Sequence, residues 1–260
     1  MFNFLWFHLP DLVQRLVHDT WPDIDDPLAH EPKWHQWGIL THTQRVWLAM
    51  QLDVPTYCEQ WQLPYIAELR REKIGSHSKW ALLLVACIVH DLGKWVGRQE
   101  TAVHTYSFKG HESLSEQLIR HNPDVRAYLQ QAGLQTKQLD YVATVAGLHY
   151  ELGKVRRLGY QSGDFDHTFL QSDLFHTQCR QISARHPSYV REIGLIYLAD
   201  SLGKIDFHPT LHTLDDVQNI IRRDNLSPNL LRAACQVSLN IAMCHAYLTN
   251  SPPIDLPTRL

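Results

Sequence analysis

The segment Trp80 to Trp95, WALLLVACIVHDLGKW, ends an apolar run in a His-Asp doublet, His90-Asp91, followed at once by Leu92-Gly93-Lys94. Two ionisable groups at the end of so apolar a helix are costly to bury unless both have partners, and one divalent cation partners both. Neighbouring helical positions point about 100° apart, so the pair converges on one ion only if the helix terminus itself faces it. Gly93 is expected to let the backbone turn there. Four more residues of ligand type sit on, or at the end of, apolar helical runs: His42 in THTQRVWLAM, His111 in GHESLSEQLI, His149 in LDYVATVAGLH and Asp200 in IGLIYLAD. Facing helices of a bundle assemble metal sites from such side chains. Four His and two Asp without Cys select hard or borderline divalent ions, Fe, Mn, Co, Ni, Zn or Mg, over copper(I).

The chain has 17 His, and several compete for these places. His35, in an irregular stretch among Pro32, Trp34 and Trp37, rivals His42; His104 rivals His111, and Asp206 rivals Asp200. His149 also suits a helix C-cap, and Glu112 suits either a helix start or a group that orients His111. His77, expected on the same helix as His90, would lie about 19.5 Å from it and cannot share its ion. The remaining histidines, His30 and His245 among them, have no comparable context and are expected to be solvated or packing residues.

The elements that must hold these side chains read almost entirely as helix. Apolar residues recur at helical spacing over roughly 10–20, 37–52, 60–73, 78–92, 111–120, 123–132, 137–149, 172–184, 187–203, 213–224 and 227–248. Hairpin signals such as Asn-Gly or Asp-Gly are absent. The expected fold is an all-α compact helical bundle. Residues 1–36 form a Trp-rich helical extension, 37–205 the metal-binding helical domain, and 206–260 C-terminal helices with an extended tail packing on the same domain. All eight Trp lie at or before Trp95, where they are expected to fill the core. Gly153 to Asp166, with three Gly and mixed charge, reads as a long loop carrying Arg156 and Arg157.

The order His42, His90-Asp91, His111, His149, Asp200, with the HDLGK block and the GHE and LAD contexts, resembles the HD-domain superfamily of metal-dependent phosphohydrolases over about residues 37–205. The resemblance implies an all-α bundle of the HD-domain type. It implies that His42, His90, Asp91 and Asp200 bind one metal, and that Asp91 bridges to a second held by His111 and His149, as in the family's binuclear members. Lys94, matching the lysine of the HDxGK block, would contact substrate phosphate, and Asp91 and Lys94 are the expected catalytic residues. The implied reaction is cleavage of a phosphoester or phosphoanhydride by a metal-bound hydroxide. Lys94 is a compact point charge suited to phosphate, and Arg156 and Arg157 are further candidates for binding it.

Composition narrows the substrate and the setting. Lys and Arg total 24 against 27 Asp and Glu, a formal charge of -3, which gives no reason to expect a long nucleic acid or a membrane surface as partner. A small phosphorylated substrate of nucleotide type is expected. Five Cys without a CxxC pair make no disulfide framework. The N-terminus lacks the basic start of a signal peptide, so the expected location is cytoplasmic. Two other classes share the ligand pattern: a di-iron oxygenase of the HD type, and a non-catalytic regulatory module with a structural metal.

Overall fold

A computed structural model describes residues 1–17, 23–31, 34–102, 105–162, 167–206 and 228–250. The helices are α1 (Phe2–Leu16), α2 (Ile39–Gln60), α3 (Tyr65–Arg71), α4 (Lys79–Val89), α5 (Leu92–Gly97), α6 (His111–His121), α7 (Pro123–Gln131), α8 (Thr136–Leu148), α9 (Glu151–Ser162), α10 (His167–Leu170), α11 (Asp173–Arg185), α12 (Val190–Leu202) and α13 (Pro228–Thr249). The fold is all-α apart from two short antiparallel pairs, β1 (Lys73–Ile74) with β2 (His77–Ser78), and β3 (Gln99–Ala102) with β4 (Thr105–Ser107). These hairpins correct the expectation that none is present. The first turns through Gly75 at φ 61°, so a single glycine does the work of the missing Asn-Gly pair. His77 consequently lies in β2, ahead of α4 and not on it.

α4 is the central rod. Every residue from Trp80 to Val89 except Ala81 is buried, as expected of a helix apolar on all sides. Its start is fixed by Ser78, whose Oγ accepts from the Ala81 N–H at 3.2 Å. Lys79–Gly97 is apolar and long enough to cross a membrane, yet 83% of it is buried inside the fold, so it is core. α2 and α8 pack on α4, α6 packs on α8, and α12 lies against α2, α4, α8 and α13. α12 is buried continuously from Glu192 to Ser201.

α1 and α13 close around this core. α1 packs on α7, α5 and α4, and the Tyr128 hydroxyl donates to the Leu5 carbonyl at 2.7 Å. Trp80 and Trp95 are buried, and Trp6, Trp47 and Trp61 pack partly buried against the core. α13 is tied to α12 through Asn240, which accepts from the Tyr197 hydroxyl at 3.2 Å and donates to Ser201 Oγ at 3.0 Å.

The stretch 153–166 is helix as far as it is described, because Leu152 and Val155 at i, i+3 bury one face of α9. Three glycines lower helix propensity but do not outweigh that burial. The expected helix 213–224 and the tail from Ser251 lie outside the described residues.

Candidate metal centre

Five elements bring the six ligand-type side chains together. His90 caps the C-terminus of α4; Asp91 then leaves helical conformation (φ -103°, ψ 10°) before α5 resumes at Leu92. That break lets adjacent side chains converge. Gly93 does not take a positive φ; its role is close approach. A Cβ there would stand 2.1 Å from the His111 carbonyl oxygen, and its N–H donates to Ser115 Oγ at 2.8 Å. The expectation of a glycine-permitted turn is therefore corrected: glycine lets α5 lie directly on the start of α6. His111 begins α6, His149 caps α8, and Asp200 lies in α12. His42 is on the first turn of α2, whose N-terminus is held from outside by Asp25: Oδ1 accepts from the Thr41 N–H at 2.8 Å.

Each of the four imidazoles is oriented in the same way. Nδ1 of His42 lies 3.1 Å from the Gly203 carbonyl, that of His90 2.8 Å from Cys87, that of His111 2.8 Å from Phe108 and that of His149 2.6 Å from Ala146. A carbonyl only accepts, so Nδ1 carries the proton and the neutral ring presents its Nε2 lone pair. The four Nε2 atoms surround two carboxylates. His42 Nε2 is 3.1 Å from Asp200 Oδ1 and 3.5 Å from Asp91 Oδ2, and His90 Nε2 is 3.3 Å from Asp91 Oδ2. On the other side, His111 and His149 Nε2 are 3.3 and 3.7 Å from Asp91 Oδ1, and only 3.1 Å from each other.

Acceptors facing acceptors at these distances repel unless a cation sits among them. Ligand bonds of about 2.1 Å at tetrahedral or octahedral angles put neighbouring donor atoms about 3.0–3.4 Å apart; four of the six separations fall in that range, and those of 3.5 and 3.7 Å lie just beyond it. His90 Nε2 and both Asp91 oxygens are buried without a hydrogen-bond partner, the deficit an ion would fill. Two triads emerge, His42–His90–Asp91 and Asp91–His111–His149, and they share Asp91. The buried His/Asp cluster can hold a metal ion.

Electrostatics keep the cluster ready for a cation. Burial lowers the pKa of His42 and His149, outweighing the nearby carboxylates, so both stay neutral. Burial also opposes charge on His90, but Asp91 and Asp200 prevail and raise its pKa, so a proton on its Nε2 has to leave before that atom can hold an ion. Burial would push both aspartates up; His90 and Lys94 hold Asp91 well below the ordinary carboxylate range, and Lys204 does so for Asp200. An incoming ion meets carboxylates already ionised.

Above the centre lies a cleft of about 300 Å³. Lys94 reaches it from α5 with Nζ 2.8 Å from Asp91 Oδ2, an ion pair outside hydrogen-bond alignment, and donates to His30 Nε2 at 2.9 Å. Arg156 and Arg157 enter from α9, Arg156 half-buried and Arg157 exposed.

Three further residues line the cleft, His35, Lys204 and Gln236, and His30 lies buried against Lys94. His30, expected to be a solvated or packing residue, is fully buried: Nδ1 donates to the Trp37 carbonyl at 2.9 Å while Nε2 accepts from Lys94. His35 stacks on it at 3.9 Å and forms the cleft wall, so it does not replace His42. Lys204 is buried, with Nζ 2.9 Å from Asp200 Oδ2, and Gln236 comes from α13. The echo of HDLGK in DSLGK (residues 200–204) is the one sequence feature that could have pointed to Lys204. Of the other rivals, Asp206 pairs with Arg45 at 3.1 Å on the surface, and His104 lies outside the described residues. Glu112 Oε2 is 3.6 Å from His111 Nδ1, beside the imidazole it was a candidate to orient.

In comparison with known proteins, the chain matches no family model, no curated protein and no solved structure.

Proposed function

We propose that this chain is a metal-dependent phosphohydrolase with two divalent ions bridged by Asp91, acting on a phosphoester or phosphoanhydride of a small, nucleotide-like substrate. One observation carries the reading: four imidazoles, each fixed with Nδ1–H on a backbone carbonyl, aim their Nε2 atoms at two buried carboxylates beneath a cleft lined by cations. His42, His90, Asp91 and Asp200 would hold one ion, and Asp91, His111 and His149 the other. The resemblance to the HD-domain superfamily supports the same assignment. Bound ions of this type supply Lewis acidity and lower the pKa of water to near neutrality.

The chain's own residues account for the rest of the chemistry. Lys94 is held at the mouth of the centre by His30 and Asp91, where its ammonium would meet a phosphoryl oxygen and stabilise charge developing on it. His30, neutral and accepting, fixes the ammonium without competing for the anion. The Asp91 carboxylate keeps both oxygens toward the ions, and the buried ring of helices excludes bulk water from beneath. A cleft lined by Lys94, Lys204, Arg156 and Arg157 favours an anionic substrate.

The test is hydrolysis of p-nitrophenyl phosphate and bis-p-nitrophenyl phosphate by protein loaded separately with Mn, Fe, Co, Ni, Zn or Mg. Turnover with at least one metal, lost in Asp91→Ala and cut strongly in Lys94→Gln, is expected. No turnover with any metal would overturn the reading.

A further inference from the structure

Two of the basic residues of the cleft carry their own counter-charge, whereas the half-buried Arg156, like the exposed Lys109 and Arg157, does not. Lys94 lies 2.8 Å from Asp91 and Lys204 lies 2.9 Å from Asp200, so each already has a counter-charge. Arg156 has none: no carboxylate among the described residues comes within 4.0 Å of its guanidinium. Its partners are neutral. Nη2 donates to the Tyr150 hydroxyl at 2.8 Å. With the Gln236 amide turned so that its oxygen faces the guanidinium, Gln236 accepts from Nη1 at 2.5 Å and from Nε at 3.0 Å. α9, α13 and the turn before α9 thus cooperate to aim a half-buried cation into a cleft without a carboxylate in direct contact with it. A guanidinium so placed matches the bidentate geometry of a phosphate.

Arg156 stands beside the centre without bonding to it, near enough to feel the Asp200 charge. It bonds to none of the six ligand-type residues, and its Cζ lies 5.7 Å from the Tyr150 ring, which in turn lies 5.8 Å from the His111 ring. A phosphoryl group over the metal ligands and Lys94 leaves Arg156 for another anion, one tyrosine away.

We propose that Arg156, set by Tyr150 and Gln236, binds a second phosphate of the substrate, so that the preferred substrates are small molecules bearing two phosphoryl groups. The inference rests on the phosphohydrolase reading for the first phosphate. A cleft of about 300 Å³ accommodates such a molecule and not a polymer.

Titration calorimetry of the metal-loaded full chain provides the test, with methylphosphonate as the single-phosphate probe and ethylene and propylene bisphosphonates as the double ones. None of these has a hydrolysable P–O–C or P–O–P link. Retained metal is checked by elemental mass spectrometry after each titration. At least one bisphosphonate should bind about tenfold or more tighter than methylphosphonate. In Arg156→Gln that advantage should vanish while methylphosphonate affinity stays within about twofold; Arg156→Lys, which keeps the charge without the fork, should retain part of it. Thermal melting of both variants checks the fold. If the wild type binds both classes equally, or Arg156→Gln weakens both alike, the second-phosphate site is wrong and the hydrolase reading stands. If the wild type binds neither class, both fall.

Discussion

Gly93→Ala isolates the contact that joins the two halves of the proposed centre. The added Cβ would lie 2.1 Å from the His111 carbonyl oxygen and 2.8 Å from the Ser115 nitrogen, both backbone atoms, where ordinary contact begins at 3.4 Å. The first turn of α6 must therefore retreat by about 1.3 Å, the difference between 3.4 and 2.1 Å. Overpacking of this kind costs about 1–3 kcal/mol, or a fall in Tm of roughly 2–12 °C for a chain of this size. The functional effect should be larger than the loss of stability. His111 Nε2 is 3.3 Å from Asp91 Oδ1, and metal ligation tolerates only about 0.2 Å of displacement. His42, His90, Asp91 and Asp200 do not depend on α6, so the ion they hold should remain. The variant should melt lower and retain about one ion fewer per chain, measured by calorimetry and elemental mass spectrometry on the same preparation. A Gly93→Ala protein with unchanged Tm and full metal content would refute the reasoning.

Other expectations follow from single contacts. Asn240→Leu leaves the Tyr197 hydroxyl and Ser201 Oγ buried without their partner, and should cost about 1–3 kcal/mol in a denaturant titration; an unchanged midpoint would argue against the α12–α13 tie. The hydrogen bonds and charges of Arg191 and Lys79 lower the Glu72 pKa from its ordinary value to about 2. Its contribution should be full above the unfolded-state value near 4.5 and lost as the pH falls towards 2. Because the Glu72 side chain is 38% exposed, Glu72→Gln should cost only about 1 kcal/mol at pH 7 after screening, with a smaller penalty at pH 3. His30→Ala removes the acceptor that holds Lys94 and should raise KM for p-nitrophenyl phosphate more than it lowers kcat; the reverse would place His30 in the chemical step. Saturating metal at about 100 times Kd should stabilise the metal-stripped protein by about 2.7 kcal/mol, and Asp91→Ala should abolish that gain.

The sequence made the helices legible where one face is apolar. The runs around α6, α7, α8 and α11 agree with the structure to within a residue or two because each buries one apolar face at helical spacing; Asn122 and Ser172 cap the starts of α7 and α11. The six ligand-type residues stand out because ionisable groups on apolar helices need a reason to be there. α9 is hidden by its glycines, since Leu152 and Val155 reveal their face only once neighbours bury it. His30, His35 and Gln236 reach the cleft through tertiary contacts alone. Trp95 Nε1 donates to the Ile24 carbonyl, and the Gln36 N–H to that of Lys204, which folds residues 23–31 and 34–38 over the centre; nothing in their own spacing announces it. Gly93 shows the same limit, because α5 and α6 meet across a chain separation that no local pattern records.

The central claim is that the His/Asp cluster holds two ions bridged by Asp91. Elemental mass spectrometry of freshly purified wild type beside Asp91→Ala tests it most directly. About two ions per chain in the wild type, both lost in the variant, is the predicted result. A wild type that holds no metal after supplementation with Mn, Fe, Co, Ni, Zn or Mg, or an Asp91→Ala variant that keeps its full complement, would contradict it.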